Sequence, residues 1–250
     1  MKTCLDVING YAGAFRDLVN SRIRCDKRSI RELLRLAKDG DWEFLCTSMN
    51  IVGDANEAIR NFLRFGLDGP THYEDLGEKY LRLYGMLTAA YIQQQTATEI
   101  YRIMNVGSLK DLKKRFVALS IRTLRHKLAS HSTDFVEHMK GNKKAYVPIR
   151  ISLKGYECEY RGTDKHERVD LKKALEEHAR LVINVLDEIY EKSTNTLYEG
   201  QKKELARHAE RLDELRIERD GGIVLKMRAG RKVIVTLGTT RGQHSRNPSK

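Results

Sequence analysis

Through most of the first 135 residues, apolar positions recur every three or four places, the spacing that lays them along one face of an α-helix. This pattern predicts helices over roughly 3–39, 42–66, 73–105 and 109–131. In the third, Leu83, Leu87, Ala90, Ala97, Tyr101 and Met104 form one stripe, with Gln94 filling the gap between Ala90 and Ala97. Asn105 and Gly107 stop that helix, and Ser108 with Asp111 starts the next, because a serine oxygen can accept a free amide of the first turn. The stripe of the next helix is Val117, Ile121, Leu124 and Leu128. Only three prolines occur, Pro70, Pro148 and Pro248, so long helices run without a lost amide donor. Long helices joined by short connections predict an up-and-down antiparallel bundle.

After Gly141 the period changes. Ile149, Ile151 and Leu153 alternate with Arg150, Ser152 and Lys154; beyond Gly155, Tyr156, Cys158 and Tyr160 alternate with Glu157, Glu159 and Arg161. A period of two is that of a strand, so a β-hairpin is expected at about 145–162, inserted into the bundle. The helical period returns from Asp170 through Leu171, Leu175, His178, Val182, Val185 and Ile189, and the run Ser193 to Thr196 is expected to break it. A charged helix over about 197–219 carries Leu205, His208, Leu212 and Leu215. Then Ile223, Leu225 and Met227, and Val233, Val235 and Leu237, flank Ala229-Gly230 as a second hairpin. The fold class expected is mainly α: a helical bundle over 1–219 with the inserted hairpin, then a basic hairpin and a disordered tail over 220–250.

Composition narrows the function classes. No stretch is long and apolar enough to span a membrane, and Met1 to Asn20 has no apolar signal segment, so a cytoplasmic protein with no membrane partner is expected. Cys4, Cys25, Cys46 and Cys158 stand singly, without zinc spacing, and read as reduced small hydrophobes. No nucleotide-binding fingerprint is present and no cofactor or metal is expected. The formal net charge is +12, and residues 221–250 hold seven bases and no acid, so that segment alone carries +7. A basic segment of this kind favours polyanions, RNA above all, although it also fits a solubilising end. Lys226, Arg228, Arg231 and Lys232 are its candidate RNA contacts.

The segment Ile121 to Ser132 carries the candidate chemistry. Arg125 is followed by His126, and His131 comes with five residues between it and Arg125. An arginine, a polar residue directly after it and a histidine a few positions on, set on a bundle helix after a long helix with Gln93-Gln94-Gln95, resembles the HEPN family signature. The resemblance covers roughly residues 40–190. It implies a metal-independent ribonuclease working as a homodimer, with the motifs of two protomers lining one cleft, and toxins and antiviral defence effectors occur among its members. RNA carries its own nucleophile, the 2′-OH. Cleavage then needs a proton carrier that titrates near neutrality, the role of His131. It also needs a fixed cation at the phosphoryl oxygens, which suits Arg125. His126 completes the catalytic set, and Arg122, Lys127 and Ser130 are candidate RNA contacts beside it. One departure matters. HEPN toxins controlled by a nucleotidyltransferase antitoxin often carry tyrosine two places after the motif histidine, where this chain has Thr133, so a stand-alone effector or another regulatory protein partner is expected.

Helical geometry sets a condition. Six steps of about 100° leave Arg125 and His131 about 120° apart on an unbroken helix. Either the helix ends near Ser130 or each site combines two chains. Three functions are carried forward: the ribonuclease, a non-catalytic HEPN-like module contacting RNA or a protein, and a nucleic-acid binder working through its basic tail. On the bland account, His131 extends the apolar stripe and Arg122 and Arg125 form a solvated face. His178 and His208 lie on apolar stripes and are expected in the core.

Overall fold

The chain's architecture, taken from a computed structural model, is described for residues 2–24, 27–71, 74–130, 135–136, 143–162, 166–226 and 232–235. Its helices are α1 (Cys4–Arg24), α2 (Ile30–Leu33), α3 (Asp41–Phe65), α4 (Leu76–Ile103), α5 (Leu109–Val117), α6 (Ser120–Arg125), α7 (Leu171–Leu197) and α8 (Lys202–Arg219). The fold is mainly α, as the periodicity predicts. Asp75, Ser108 and Asp170 each accept an amide three residues on and so start α4, α5 and α7.

Side-chain contacts give the helix directions. Arg102 near the end of α4 reaches Asp41 at the start of α3, and Arg82 near the start of α4 reaches Asn61 near the end of α3, so α3 and α4 are antiparallel. The pairs Asp6–Arg60 and Arg16–Asn50 make α1 and α3 antiparallel, and Arg216–Asp187 with Tyr190–His208 does the same for α7 and α8. Helix α7 instead runs the same way as α1, since Tyr11 meets Asp187 and Ser21 meets Tyr198. The segment from α5 to the inserted sheet carries the chain back before α7 begins.

Three expected element boundaries are corrected. The helix expected over 3–39 is interrupted: α1 ends at Arg24, and a reciprocal cap between Ser29 and Glu32 starts the short α2. Arg35, with φ of 53°, then turns the chain out of the helical path. The polar run Ser193 to Thr196 does not break α7, which continues to Leu197. Ser193 and Thr194 are buried, and packing outweighs the few tenths of a kcal/mol that such residues cost in a helix. In the inserted sheet, Arg150–Ser152 forms a 3-10 turn where a strand is expected.

That sheet consists of β3 (Val147–Pro148), β4 (Glu157–Arg161) and β5 (His166–Asp170) in the order β3-β4-β5, all antiparallel. Cys158 and Tyr160 turn inward from β4, as the alternation predicts. Two earlier two-residue strands, β1 (Phe135–Val136) and β2 (Lys143–Lys144), also pair. The sheet lies against the bundle rather than apart from it. The Tyr156 hydroxyl donates to the Leu63 carbonyl, and the Leu67 amide donates to the Gly155 carbonyl. Gly66 makes this approach possible: its φ is 61° and an added Cβ would stand 2.6 Å from the Gly155 oxygen. The C-terminal hairpin pairs β6 (Ile223–Lys226) with β7 (Lys232–Val235), in the register Ile223↔Val235 to Lys226↔Lys232.

The core is one cluster drawn from all the long helices, with Leu153, Cys158 and Tyr160 of the inserted segment. Cys158 is fully buried, while Cys4 and Cys46 are half-buried, and all three are free. No described helix is long and apolar enough to cross a membrane. Two polar clusters stand inside this apolar frame. In the first, Tyr11 and Arg216 both donate to the buried Asp187 carboxylate, at 2.6 and 2.7 Å. Burial alone would raise that carboxyl, but the Arg216 and Tyr11 hydrogen bonds outweigh it and hold Asp187 below the usual carboxylate value. The second cluster leads to the candidate site.

Candidate functional site

The segment expected to be one helix over 109–131 is divided. Helix α5 ends at Val117, α6 starts at Ser120, and from His126 to Ser130 the backbone widens into a π turn. Such wide turns often occur at functional positions. Here the change begins one residue after Arg125, so the α-helix does stop before 131, as the first of the two geometric solutions requires. His131 itself lies outside the described residues.

Arg122 and Arg125 stand one helical turn apart on α6 and meet Tyr91 of α4. The Arg122 guanidinium carbon is 4.3 Å from the Tyr91 ring centroid and that of Arg125 is 3.7 Å from it. Each guanidinium is attracted by the ring's π electrons. Among the described residues neither arginine forms an ion pair, and the buried Nε of each has no hydrogen-bond partner. Burial first, and then the nearby charge of Arg125, hold Arg122 below the ordinary guanidinium value, with Tyr91 partly offsetting them. Two adjacent cations without a carboxylate form a site suited to an anion.

The direction of Arg122 is set by the core. Its Nη1 donates to Gln94 Oε1 at 3.1 Å. Gln94 Nε2 lies 3.3 Å from His178 Nδ1, His178 Nε2 lies 2.9 Å from Gln93 Oε1, and Gln93 Nε2 donates to the Val52 carbonyl at 3.2 Å. These contacts admit one assignment. Arginine only donates, so Gln94 uses its oxygen toward Arg122 and its amide N–H toward His178 Nδ1. A backbone carbonyl only accepts, so Gln93 presents its oxygen to His178 Nε2–H. His178 is therefore neutral with the proton on Nε2, and every donor points from Arg122 toward α3. This explains why two glutamines and a histidine sit in the core almost without exposure. His178 is a core residue, as its stripe predicts.

Burial pushes His178 down to about 4 from an ordinary 6.5. A folded-state value below the unfolded one means that the unfolded chain binds the extra proton. Stability associated with His178 is thus complete above about pH 6.5, falls as the unfolded chain protonates, and reaches its full loss near pH 4. The expected loss is on the order of 2–3 kcal/mol. Urea unfolding at several pH values tests this: the decline between pH 6.5 and 4 should be shallower in His178→Gln than in the wild type.

The remaining sequence-derived candidates fall in different places. His126 is half-buried at the first position of the π turn, and Ser130 is exposed at its end. Lys127 is buried and does not present its charge to solvent. Its ammonium donates to Tyr160 Oη at 3.0 Å and to Glu167 at 3.0 and 3.1 Å, over the faces of Tyr146 and Tyr160. Tyr160 also donates to Glu167. The fold thus gives Lys127 a structural task, fastening the π turn to the inserted sheet. Lys226 and Lys232 face each other in the C-terminal hairpin register, but their side chains, together with Arg228 and Arg231, lie outside the described residues. His208, expected in the core, is buried and linked to Tyr190 at 2.8 Å.

Sequence reasoning missed Tyr91, which lies about one turn before Gln94 on α4 and carries both arginines. It also missed a cavity of about 250 Å³ between α4, α5 and α6, into which Arg122 and Lys113 face. Among the described residues, no group of three or more histidine, cysteine, aspartate or glutamate side chains is placed to hold a metal ion. Comparison with protein families, with curated proteins and with solved structures finds no match for the chain.

Proposed function

We propose that the chain is a metal-independent endoribonuclease of the HEPN kind. The observation that carries this reading is the Arg122–Arg125 pair on Tyr91, without a carboxylate partner among the described residues and directly before a π turn that leads toward His131. Stacking occupies the face of the Arg125 guanidinium and leaves its rim of N–H donors for phosphoryl oxygens. In the reaction, the ribose 2′-oxygen forms a bond to phosphorus while the bond from phosphorus to the 5′-oxygen breaks. One proton leaves the 2′-OH and one reaches the departing 5′-oxygen. His131 moves protons in this scheme with His126 beside it, and Arg125 balances the charge that builds on phosphorus oxygens. The products are a 2′,3′-cyclic phosphate and a 5′-hydroxyl.

The active form in this reading is a cytoplasmic homodimer with two motifs in one cleft, acting as a toxin or defence effector under a regulatory partner. An exposed apolar strip formed by Ile51 of α3 with Tyr84 and Ile92 of α4, next to Tyr91, supports self-association. The test is incubation with total RNA in EDTA, alongside Arg125→Ala and His131→Ala. Cleavage by the wild type alone is the expected result. Intact RNA in every lane, from folded proteins that still bind it, would replace the ribonuclease with a non-catalytic RNA-binding module.

A further inference from the structure

The cavity between α4, α5 and α6 adds a second anion position to the site. Lys113 of α5 and Arg122 of α6 face it, Gln94, Gln95 and Thr98 of α4 form its polar wall, and Phe116 closes it on the apolar side. Its volume of about 250 Å³ accommodates a phosphate group with part of its sugar. No carboxylate lines it, although aspartate and glutamate make up 34 of the 250 residues. The polar wall is already oriented. Gln94 turns its oxygen to Arg122, and the Thr98 hydroxyl donates to the Gln94 carbonyl at 2.7 Å. The groups left to donate into the cavity are the Lys113 ammonium, the Arg122 guanidinium and the Gln95 amide. Lys113 is exposed and forms no ion pair among the described residues, whereas its neighbour Lys114 is paired with Asp111.

A half-buried guanidinium with no counter-charge is costly to maintain, and the buried chain through Gln94, His178 and Gln93 aims it nonetheless. An oriented, unpaired cation facing a second cation across a cavity is the arrangement that binds an oxyanion. Arg122 and Arg125 are three residues apart on one helix, about 5–6 Å between Cβ atoms, so one flexible strand can reach both.

We propose that this cavity is a phosphate subsite that holds a backbone phosphate of single-stranded RNA next to the phosphate engaged by Arg125. The inference rests on the ribonuclease reading for its ligand, and its test does not require cleavage. The probe is a fluorescent single-stranded oligonucleotide with 2′-O-methyl riboses, which cannot be cut by 2′-OH attack. Its affinity is measured by anisotropy across a salt series for the wild type, Lys113→Met and Lys114→Met. Loss of one phosphate contact lowers the slope of log affinity against log salt by about 0.7 for a single strand. The expected result is that reduction in Lys113→Met, with several-fold weaker binding at low salt, and the wild-type slope in Lys114→Met. Arg122→Gln should lower the slope in the same way, with circular dichroism confirming that it is folded.

Equal slopes for Lys113→Met and the wild type would overturn the subsite even if RNA is cut normally. A reduced slope would uphold it even if no cleavage is found, and in that case only the ribonuclease reading falls. Inorganic phosphate serves as the second probe. If phosphate raises the melting temperature in a Lys113-dependent way while oligonucleotide binding is unaffected by the substitution, the site takes free phosphate and the assignment to RNA is wrong.

Discussion

Arg125→Ala is expected to lower the rate of RNA cleavage by about 10²–10³-fold, the usual cost of deleting one donor that stabilises developing oxyanion charge. The fold should survive. Arg125 makes no ion pair among the described residues, and its main contact is the face of Tyr91 at 3.7 Å, so the stability lost is about 1 kcal/mol. Rates from a defined RNA substrate, together with an unfolding curve for each protein, separate the two effects. Arg125→Lys refines the test. Lysine retains the charge but not the planar fork or its stacking on Tyr91, so only part of the rate should return. Full activity in Arg125→Ala would remove Arg125 from the chemistry.

Asp187→Ala should cause the largest loss of stability among single substitutions away from the candidate site. The carboxylate is buried between α1, α7 and α8, accepting from Tyr11 at 2.6 Å and from Arg216 at 2.7 and 3.0 Å. Removing it leaves the buried Tyr11 hydroxyl without its acceptor and Arg216 without its main counter-charge. Breaking a buried pair from one side costs about 3–5 kcal/mol. Arg216 is one-third exposed and keeps Glu191 at 2.9 Å, which places the expectation near the lower figure. For a chain of this length that corresponds to a fall in melting temperature of about 6–12 °C. Asp187→Asn keeps an acceptor for Tyr11 and should lose less. Cleavage per folded molecule should not change, because Asp187 contacts neither Tyr91 nor the arginines.

The long helices were legible because their stripes are regular. Leu83, Leu87, Ala90, Ala97 and Tyr101 all reach the core, and Gln94 fills the gap in that stripe because the core supplies it with His178. Boundaries set by tertiary contact were not legible. Ser193 and Thr194 look like a helix end, but burial carries α7 past them. Strand β5 escaped notice because Glu167 and Arg168 interrupt its apolar signal, and both are spent on cross-strand contacts to Tyr160 and Glu157. Lys127 shows why charge alone misleads: the sequence shows a lysine among arginines, and the fold puts Glu167 and two tyrosines around it.

The candidate site divides in the same way. Arg122 and Arg125 stand out by type and spacing within one turn of α6. Tyr91, about thirty residues earlier, becomes their platform only when α4 packs on α6. The cavity is less visible still, since Lys113 and Arg122 belong to different helices and face each other only because the chain bends at Ala118 and Leu119.

The central claim is that the substrate's own 2′-OH attacks the phosphate at a site built around Arg125. Its most direct measurement is the cleavage, in EDTA, of a defined single-stranded RNA beside the same strand with one 2′-deoxyribose at the cleaved position. The account predicts cleavage of the all-ribose strand to a 2′,3′-cyclic phosphate and a 5′-hydroxyl, with no cut at the deoxy position. Cleavage of both strands at equal rates, or dependence on an added divalent metal, would contradict it.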